Sequence, residues 1–593
     1  MLSENREQKK IAVISYIVVF GFLIVLLRLW QLQVLQGEDF RKISESNRLR
    51  VIGIPAPRGI IFDRNNIPLV KNTPYFCVSL IPEEFEAGNA DPLSALIGLP
   101  AAEISRKMTG GSKNPMAPVK LKEGLTFKEV SFIEARRSDF PGLIIEVETT
   151  RDYLYGSTGS HIIGYLGKLS PRQSRSPEFD DVPPDAFIGQ WGVEKLYDKS
   201  LRGIAGQRII EVDALGKELR LLREIPPVKG ADLTLSIDIA LQRKAEEAFD
   251  GRAGALVALR PGTGEVLGLV SSPSFDPNKF AKGISYDDWV SLSKDEKLPM
   301  LNRAIQSQYP PGSTFKIITA IAALSEGVMD EHTSVDCKGG IRYGKWHFGC
   351  WKKSGHNFVS VHRALVESCD VFFYEAGKRL GIDTIYDYAS RFGLGKATGI
   401  PLGSEREGLI PNTGWKREKK KEPWYIGETF VNSIGQGYVS VTPLQLAEMT
   451  SAVANGGTVY KPLILKDAEP VPVTSSGVRP EILEKIRHYL SDVVNEPNGT
   501  GWVAKSDVTM IGGKTGTAQV VGIRKDSRDL PEKFRDHAWF VAFAPVERPD
   551  IALSVLVEHG GHGGSAAAPV AKKAIEAYML PIEKKKELLD VQD

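Results

Sequence analysis

The chain has 593 residues, 42% apolar and 25% charged, with a net charge of +2. That length holds two to four domains with a sizeable core, and the balance is that of an ordinary folded protein. The near-zero charge leaves no basic excess to neutralise phosphates, which argues against a nucleic-acid partner, and four cysteines are too few for a disulfide scaffold.

Residues 1–10 carry Arg6, Lys9 and Lys10 and precede one apolar stretch, residues 11–35, interrupted by Ser15, Arg28 and the glutamines near its end. About 20 apolar residues span a bilayer. The basic flank predicts a short cytoplasmic tail, with the bulk of the chain on the far side of the membrane. Gln31-Leu32-Gln33-Val34 is too bulky for a signal-peptide cleavage site, so the segment reads as a retained anchor. Residues 36–228 read as a mixed region. Ile60–Phe62, Tyr75–Leu80 and Ile144–Val147 are predicted strands; Leu93–Ile97, Ala101–Met108, Phe127–Arg136 and a segment from Gly189 through Tyr197 are predicted helices. Pro226-Pro227-Val228-Lys229-Gly230 marks the boundary.

Residues 229–580 form the second region. A strand at Leu233–Ile237 and a helix at Ile239–Phe249 lead into a hairpin, Ala255–Leu259 with Glu265–Val270, around Pro261-Gly262-Thr263-Gly264. Tyr309-Pro310-Pro311-Gly312 stops one segment, so Ser313 opens a helix through Ile318 and Ala322. Helical patterns fill Ser360–Phe392 and Leu444–Asn455. Strands return at Thr517–Gly522, Ala538–Ala544 and Ile551–Glu558, before a helix at Ala567–Met579 and a charged tail, residues 581–593. Strands at both ends with helices between predict an α+β fold, one sheet with helices on both faces. Lys416–Lys421 reads as a solvated loop, and His537, His559 and His562 as surface or loop residues.

Three short motifs carry the chemistry: Ser313-Thr314-Phe315-Lys316, Ser368-Cys369-Asp370 and Lys514-Thr515-Gly516-Thr517. Residues three apart on a helix share a face, so the Lys316 amine comes within reach of the Ser313 hydroxyl. A serine needs a base to become a nucleophile, and an uncharged amine serves. Ser368 can relay a proton, and Asp370 can orient Lys316 and Ser368. Lys514 would supply a fixed cation, which also lowers the pKa of Lys316. Thr515, Gly516 and Thr517 form a strand edge able to pair with a peptide ending in a carboxylate.

These motifs together resemble those of the class B penicillin-binding proteins. The resemblance extends to Arg58-Gly59-Ile60-Ile61-Phe62-Asp63-Arg64, Arg151-x-Tyr153, Gly189-x-x-Gly192-Val193-Glu194, Asp276-Pro277-Asn278, Ser433-Ile434-Gly435-Gln436-Gly437 and Thr442-Pro443-Leu444-Gln445. Asp370 and Pro423-Trp424-Tyr425 resemble the elongation type. The resemblance implies a pedestal domain (36–228) before a penicillin-binding/β-lactamase-like transpeptidase domain whose central sheet is antiparallel. It implies a D,D-transpeptidase that forms 4→3 cross-links through an acyl-enzyme on Ser313, with stem pentapeptide as donor, β-lactams as acylating agents and no organic cofactor. It further implies single-pass residence in the inner membrane with the bulk periplasmic. The implied partners are a SEDS-family glycan polymerase of the RodA type and other elongation-complex proteins. A D,D-carboxypeptidase or serine β-lactamase, and a non-catalytic β-lactam sensor, stay open as alternatives.

Cys337, Cys350, His356 and Cys369 follow the spacing Cys-x12-Cys-x5-His-x12-Cys. Three thiols and an imidazole match a closed tetrahedral zinc site, structural in role. A Cys337–Cys350 disulfide is the open alternative. Cys77 reads as a plain strand residue.

Overall fold

A five-stranded antiparallel sheet organises the larger part of the chain. In the computed structural model its strands are β1 (Gly254–Leu259), β2 (Val266–Ser272), β3 (Gly512–Ala518), β4 (His537–Ala544) and β5 (Ile551–Val557), in the order β2-β1-β5-β4-β3. The structure describes residues 2–36, 38, 49–85, 87–110, 118–180, 182, 186–212, 218–281, 283–520 and 531–589. The chain divides into two compact units. One comprises Met1–Arg58, Thr73–Thr150 and Arg202–Gly230; the other comprises Gly59–Asn72, Arg151–Leu201 and Ala231–Asp593.

In the first unit the helix Leu2–Trp30 begins within the expected tail and runs on as a wider turn, Gln31–Leu35. Ile11–Leu35 is long and apolar enough to cross a membrane, and none of it is buried. Twenty-five residues at about 1.5 Å each exceed a hydrocarbon core of about 30 Å. Farther on, Ala90–Ile97 stops at Gly98, whose φ of +67° lets its N–H bond back to the Ser94 carbonyl. Phe127–Glu134 begins at a reciprocal cap, Thr126 with Glu129. These helices and the strand Val119–Leu125 enclose a small core of Val78, Leu93, Ile104, Leu121 and Ile133. A three-stranded antiparallel sheet, Leu49–Ile54, Gly206–Val212 and Glu218–Ile225, had no counterpart in the sequence reading.

In the second unit both faces of the sheet are buried, and β4 shows how. Trp539, Val541 and Phe543 enter the core shared with the serine-bearing helix, while Ala538, Phe540 and Ala542 enter the core beneath Ile239–Phe249 and Ala568–Tyr578. Two covered faces explain why the strands read as continuous apolar runs. The expected α+β sandwich is therefore the observed one.

Several motifs noted by resemblance acquire structural roles in this unit. Arg151 Nε donates to Glu194 Oε1 at 2.7 Å, both side chains buried, and Arg151 Nη1 donates to the Gly59 carbonyl at 2.7 Å. Asn278 bonds the Tyr153 backbone in both directions at 3.0 Å. The strand Leu233–Thr234 is shorter than expected. The charged tail is instead a helix, Ile582–Leu588: Lys585 is buried and pairs with Asp238 at 2.5 Å, residues 590–593 lying outside the described set. Residues 417–421 are solvent-exposed as expected, but the run is helical up to Lys420 and Lys416 is not solvated. A helix, Thr413–Lys420, buries Lys416 completely against Glu428 and over the Tyr425 ring, because aromatic faces and a carboxylate can shelter a cation.

Candidate active site

Ser313 lies in a tight turn, Gly312–Phe315, that leads into the helix Lys316–Ser325. Two neighbours clasp this turn. Gly312 donates its N–H to the Gly435 carbonyl at 2.9 Å and has a φ of +56°. A side chain there would run into the Thr517 backbone, so glycine is needed for conformation and for space. Gln436 Nε2 donates to the Thr517 carbonyl at 2.8 Å, and Trp539 Nε1 to the Pro310 carbonyl at 2.9 Å. The Ser433–Gly437 signature thus ties the serine turn to the edge of the sheet.

Lys316 is fully buried, and its amine meets three acceptors: the Ser368 carbonyl at 2.9 Å, Ser368 Oγ at 3.2 Å and Asp370 Oδ1 at 2.7 Å. An ammonium has three N–H donors, so this set saturates it. The first and second motifs therefore meet at one amine. The long helical pattern from Ser360 breaks here into Val361–Val366 and Asp370–Leu380, with Ser368 between them at a φ of +56°. Asp370 bonds Lys316 through one oxygen and the Trp351 N–H, at 2.9 Å, through the other.

The third motif occupies β3, the edge strand, paired on one side to β4. The strand starts at Gly512 and includes the whole motif, five residues earlier than the sequence reading; positions 521 and 522 of that reading lie outside the described residues. Gly516 leaves no room for a side chain beside Pro311 and Thr314. Thr515 Oγ1 donates to Thr500 Oγ1 at 2.9 Å, a partner that no sequence signal marked. Lys514 is fully buried. Burial first, then the neighbouring Lys316 charge, pulls its amine well below the ordinary lysine value, with Asp370 opposing.

Cys337, Cys350, His356 and Cys369 converge behind the second motif, all four buried, with one donor atom from each inside a 4.8 Å cluster. His356 Nδ1 is 3.5 Å from Cys337 Sγ and 3.6 Å from Cys350 Sγ. A tetrahedral zinc site with ordinary bond lengths has ligand–ligand edges of about 3.5–3.8 Å, which these two edges match. The four cysteines are free thiols, and the Cys337–Cys350 disulfide is not formed. The Cys369 thiol holds Cys350 down to about 5 by hydrogen bonding, and is itself pushed up by the same bond and by burial. Cys77 is a buried strand residue.

His537 is not a surface residue: it starts β4 partly buried, its ring edge-on to Tyr309 at 5.2 Å, and its Nδ1 accepts from the His559 N–H. Burial lowers its pKa to about 4, as it does for His161, a fully enclosed imidazole edge-on to Phe275. Each stays neutral in the fold while the unfolded chain takes up a proton below about 6.5. The two imidazoles therefore contribute a loss of stability as pH drops from 6.5 to 4, of up to about 3 kcal/mol each, while Asp63 and Glu246, whose carboxyls burial pushes up to about 6 and about 7, contribute in the opposite direction. The difference in melting temperature between wild type and His161→Phe, both detergent-solubilised, isolates the imidazole: the variant is expected to gain on the wild type as pH drops from 6.5 to 4, and a constant difference refutes this.

Known proteins share this arrangement. Residues 254–576 match the penicillin binding protein transpeptidase domain, and residues 53–235 match the penicillin-binding protein dimerisation domain. The peptidoglycan D,D-transpeptidase MrdA of Acinetobacter baumannii is 38% identical over 96% of this chain and 87% of its own length. Among solved structures, the Helicobacter pylori complex of penicillin-binding protein PBP2 with MreC aligns with a TM-score of 0.79 at 29% identity, covering 89% of this chain and 98% of that one. A chain described under structural coordination of polymerization and crosslinking by a peptidoglycan synthase complex aligns with a TM-score of 0.74 at 32% identity, covering 96% and 98%. With both domains matched and the identity sustained from end to end, this chain belongs to the class B penicillin-binding proteins of the PBP2 (MrdA) type, a family of peptidoglycan D,D-transpeptidases.

Proposed function

We propose that this chain cross-links peptidoglycan during wall elongation through an acyl-enzyme on Ser313. The observation that carries the reading is the Lys316 amine, buried and shared between Ser368 and Asp370, beside the free edge of the Lys514–Thr517 strand. A stem pentapeptide adds along that edge. Its terminal carboxylate lies against Lys514, Thr515 and Thr517, and an opposite charge there favours the Lys514 ammonium that burial disfavours. Lys316, in its uncharged form, accepts the Ser313 proton as Oγ attacks the penultimate D-Ala carbonyl. The backbone N–H groups of Ser313 and Thr517 stabilise the oxyanion. The C–N bond to the terminal D-Ala breaks, and that amine takes a proton relayed through Ser368. An amine of a neighbouring stem then attacks the ester, gives up a proton and restores the Ser313 hydroxyl, leaving a 4→3 cross-link.

Intact-mass measurement after penicillin treatment tests this: one adduct is expected, on the peptide containing Ser313. An adduct on another serine refutes the assignment. Rapid steady-state hydrolysis of penicillin would instead favour the β-lactamase or carboxypeptidase reading.

In our reading Cys337, Cys350, His356 and Cys369 hold a zinc ion. Four protein donors leave no open position, so the metal would brace the segments around Ser368 and Asp370 without taking part in the reaction. Purified protein is expected to carry about one zinc per chain. Cys337→Ser should lose it and melt at a lower temperature, and a metal-free protein with an unchanged melting temperature refutes the site. The apolar Ile11–Leu35 helix supports a single-pass inner-membrane anchor, residues 1–10 cytoplasmic and the bulk periplasmic. The domains we assign are a pedestal at 36–228 and a transpeptidase domain at 229–580. The MreC and synthase complexes of the relatives support binding to elongation-complex proteins, including a SEDS-family polymerase of the RodA type.

A further inference from the structure

We infer that Trp351 is a positioning residue for the acylation step, holding Ser368 and Asp370 in register with Lys316. The inference rests on the reading of Ser313 and Lys316 given above. Trp351 directly follows Cys350, so it joins the thiol–imidazole cluster to the second motif through a single peptide bond. Both of its N–H groups point at that motif. The backbone N–H donates to Asp370 Oδ2 at 2.9 Å, and the indole Nε1–H lies 3.1 Å from the carbonyls of both Glu367 and Ser368.

The Ser368 carbonyl is the informative acceptor. It also takes a bond from Lys316 at 2.9 Å, and it belongs to a residue held at a φ of +56°. A left-handed conformation is strained for a non-glycine residue, so it persists only where the surroundings hold it. The donors that face this peptide are the Lys316 amine and the Trp351 indole. If the indole bond is lost, the carbonyl keeps only the Lys316 amine as a donor while its peptide keeps the Cys369 N–H bond to the Ala364 carbonyl at 2.9 Å, and Ser368 Oγ, at 3.2 Å the longest contact of the amine, is the one free to drift. The Trp351 ring is 58% exposed, so its packing does not dictate its orientation. Its bonds and an edge contact to His356, at 5.6 Å between ring centres, do that. The loop itself is pinned just before the tryptophan. Tyr374 OH donates to the Gly349 carbonyl at 3.0 Å, and Cys350 N–H donates to the Gly339 carbonyl at 2.9 Å.

Trp351→Phe keeps the backbone donor and an aromatic ring but removes the indole N–H. Rapid-mixing acylation of the full-length, detergent-solubilised protein by a fluorescent penicillin separates the dissociation constant Kd from the chemical step k2. The expected result is a k2 about tenfold slower, the effect of one lost hydrogen bond to a working group, at unchanged Kd, melting temperature and metal content. Trp351→His places a ring N–H at a similar distance from the backbone and is expected to recover most of k2. Should Trp351→Phe fold poorly, the histidine variant decides: near wild-type k2 supports the inference, and a tenfold loss overturns it. A weakened Kd at unchanged k2 would make Trp351 a ligand contact and overturn the positioning role. A wild-type protein that takes no adduct defeats the Ser313 reading and this inference with it. A wild-type protein that acylates normally beside an equally fast Trp351→Phe defeats this inference alone.

Discussion

Ser313→Ala protein is expected to take up no covalent penicillin while melting at the wild-type temperature. The bonds that hold the serine turn do not use the Ser313 side chain. Gly312 N–H goes to Gly435, Thr314 Oγ1 donates to the Pro311 carbonyl at 2.8 Å, and Trp539 Nε1 donates to Pro310. Gel fluorescence after labelling, read beside a melting curve, checks both halves. A companion variant, Lys316→Met, should slow acylation by about 10²–10⁴-fold, the usual contribution of a general base. Unlike the serine variant it should also melt lower, because Asp370 then keeps a largely buried carboxylate without the amine 2.7 Å away. Equal labelling of wild type and Lys316→Met would remove the lysine from the proton path.

The second large effect is structural. Glu194→Ala is expected to destabilise the protein by about 3–5 kcal/mol, because it leaves the Arg151 guanidinium buried without its carboxylate. The two side chains are 1% and 0% exposed, so water cannot replace the lost partner. The loss is a large part of the about 5–15 kcal/mol that holds a typical domain together. Denaturant midpoints should shift accordingly, while the fraction that remains folded acylates at the wild-type rate. A shift below about 1 kcal/mol, the worth of an exposed pair, would show that Arg151 finds other partners.

These two experiments probe residues that the sequence revealed in different ways. Ser313, Lys316, Ser368 and Lys514 were legible because residue type and order carry the chemistry: a hydroxyl and an amine one helical turn apart form a pattern whatever surrounds them. Arg151 and Glu194 were legible only as fragments of a resemblance, and spacing did not join them, since 43 residues separate the partners. Trp351 and Thr500 carried no signal at all. A tryptophan beside a cysteine and a threonine in a loop are ordinary until the fold aims their donors.

The misread segments share one cause. The polarity of Lys416, Lys585 and His537 points to solvent, yet each is buried or partly so because a partner arrives from elsewhere in the chain: Glu428, Asp238, and Tyr309 with His559. The pull on the Lys514 charge comes from enclosure and from Lys316, neither of which its side-chain type displays.

By itself, then, the amino-acid order determined that this chain has one apolar span near its start, an α+β catalytic region, a serine–lysine pair and four metal-capable side chains. These follow from local periodicity and intrinsic chemistry, which a linear chain displays. The tertiary structure decided which donor meets which acceptor, which charges lose water, and that the thiol–imidazole cluster abuts Ser368 and Asp370. Desolvation and hydrogen-bond pairing depend on groups brought together from far along the chain, and only the folded packing specifies them.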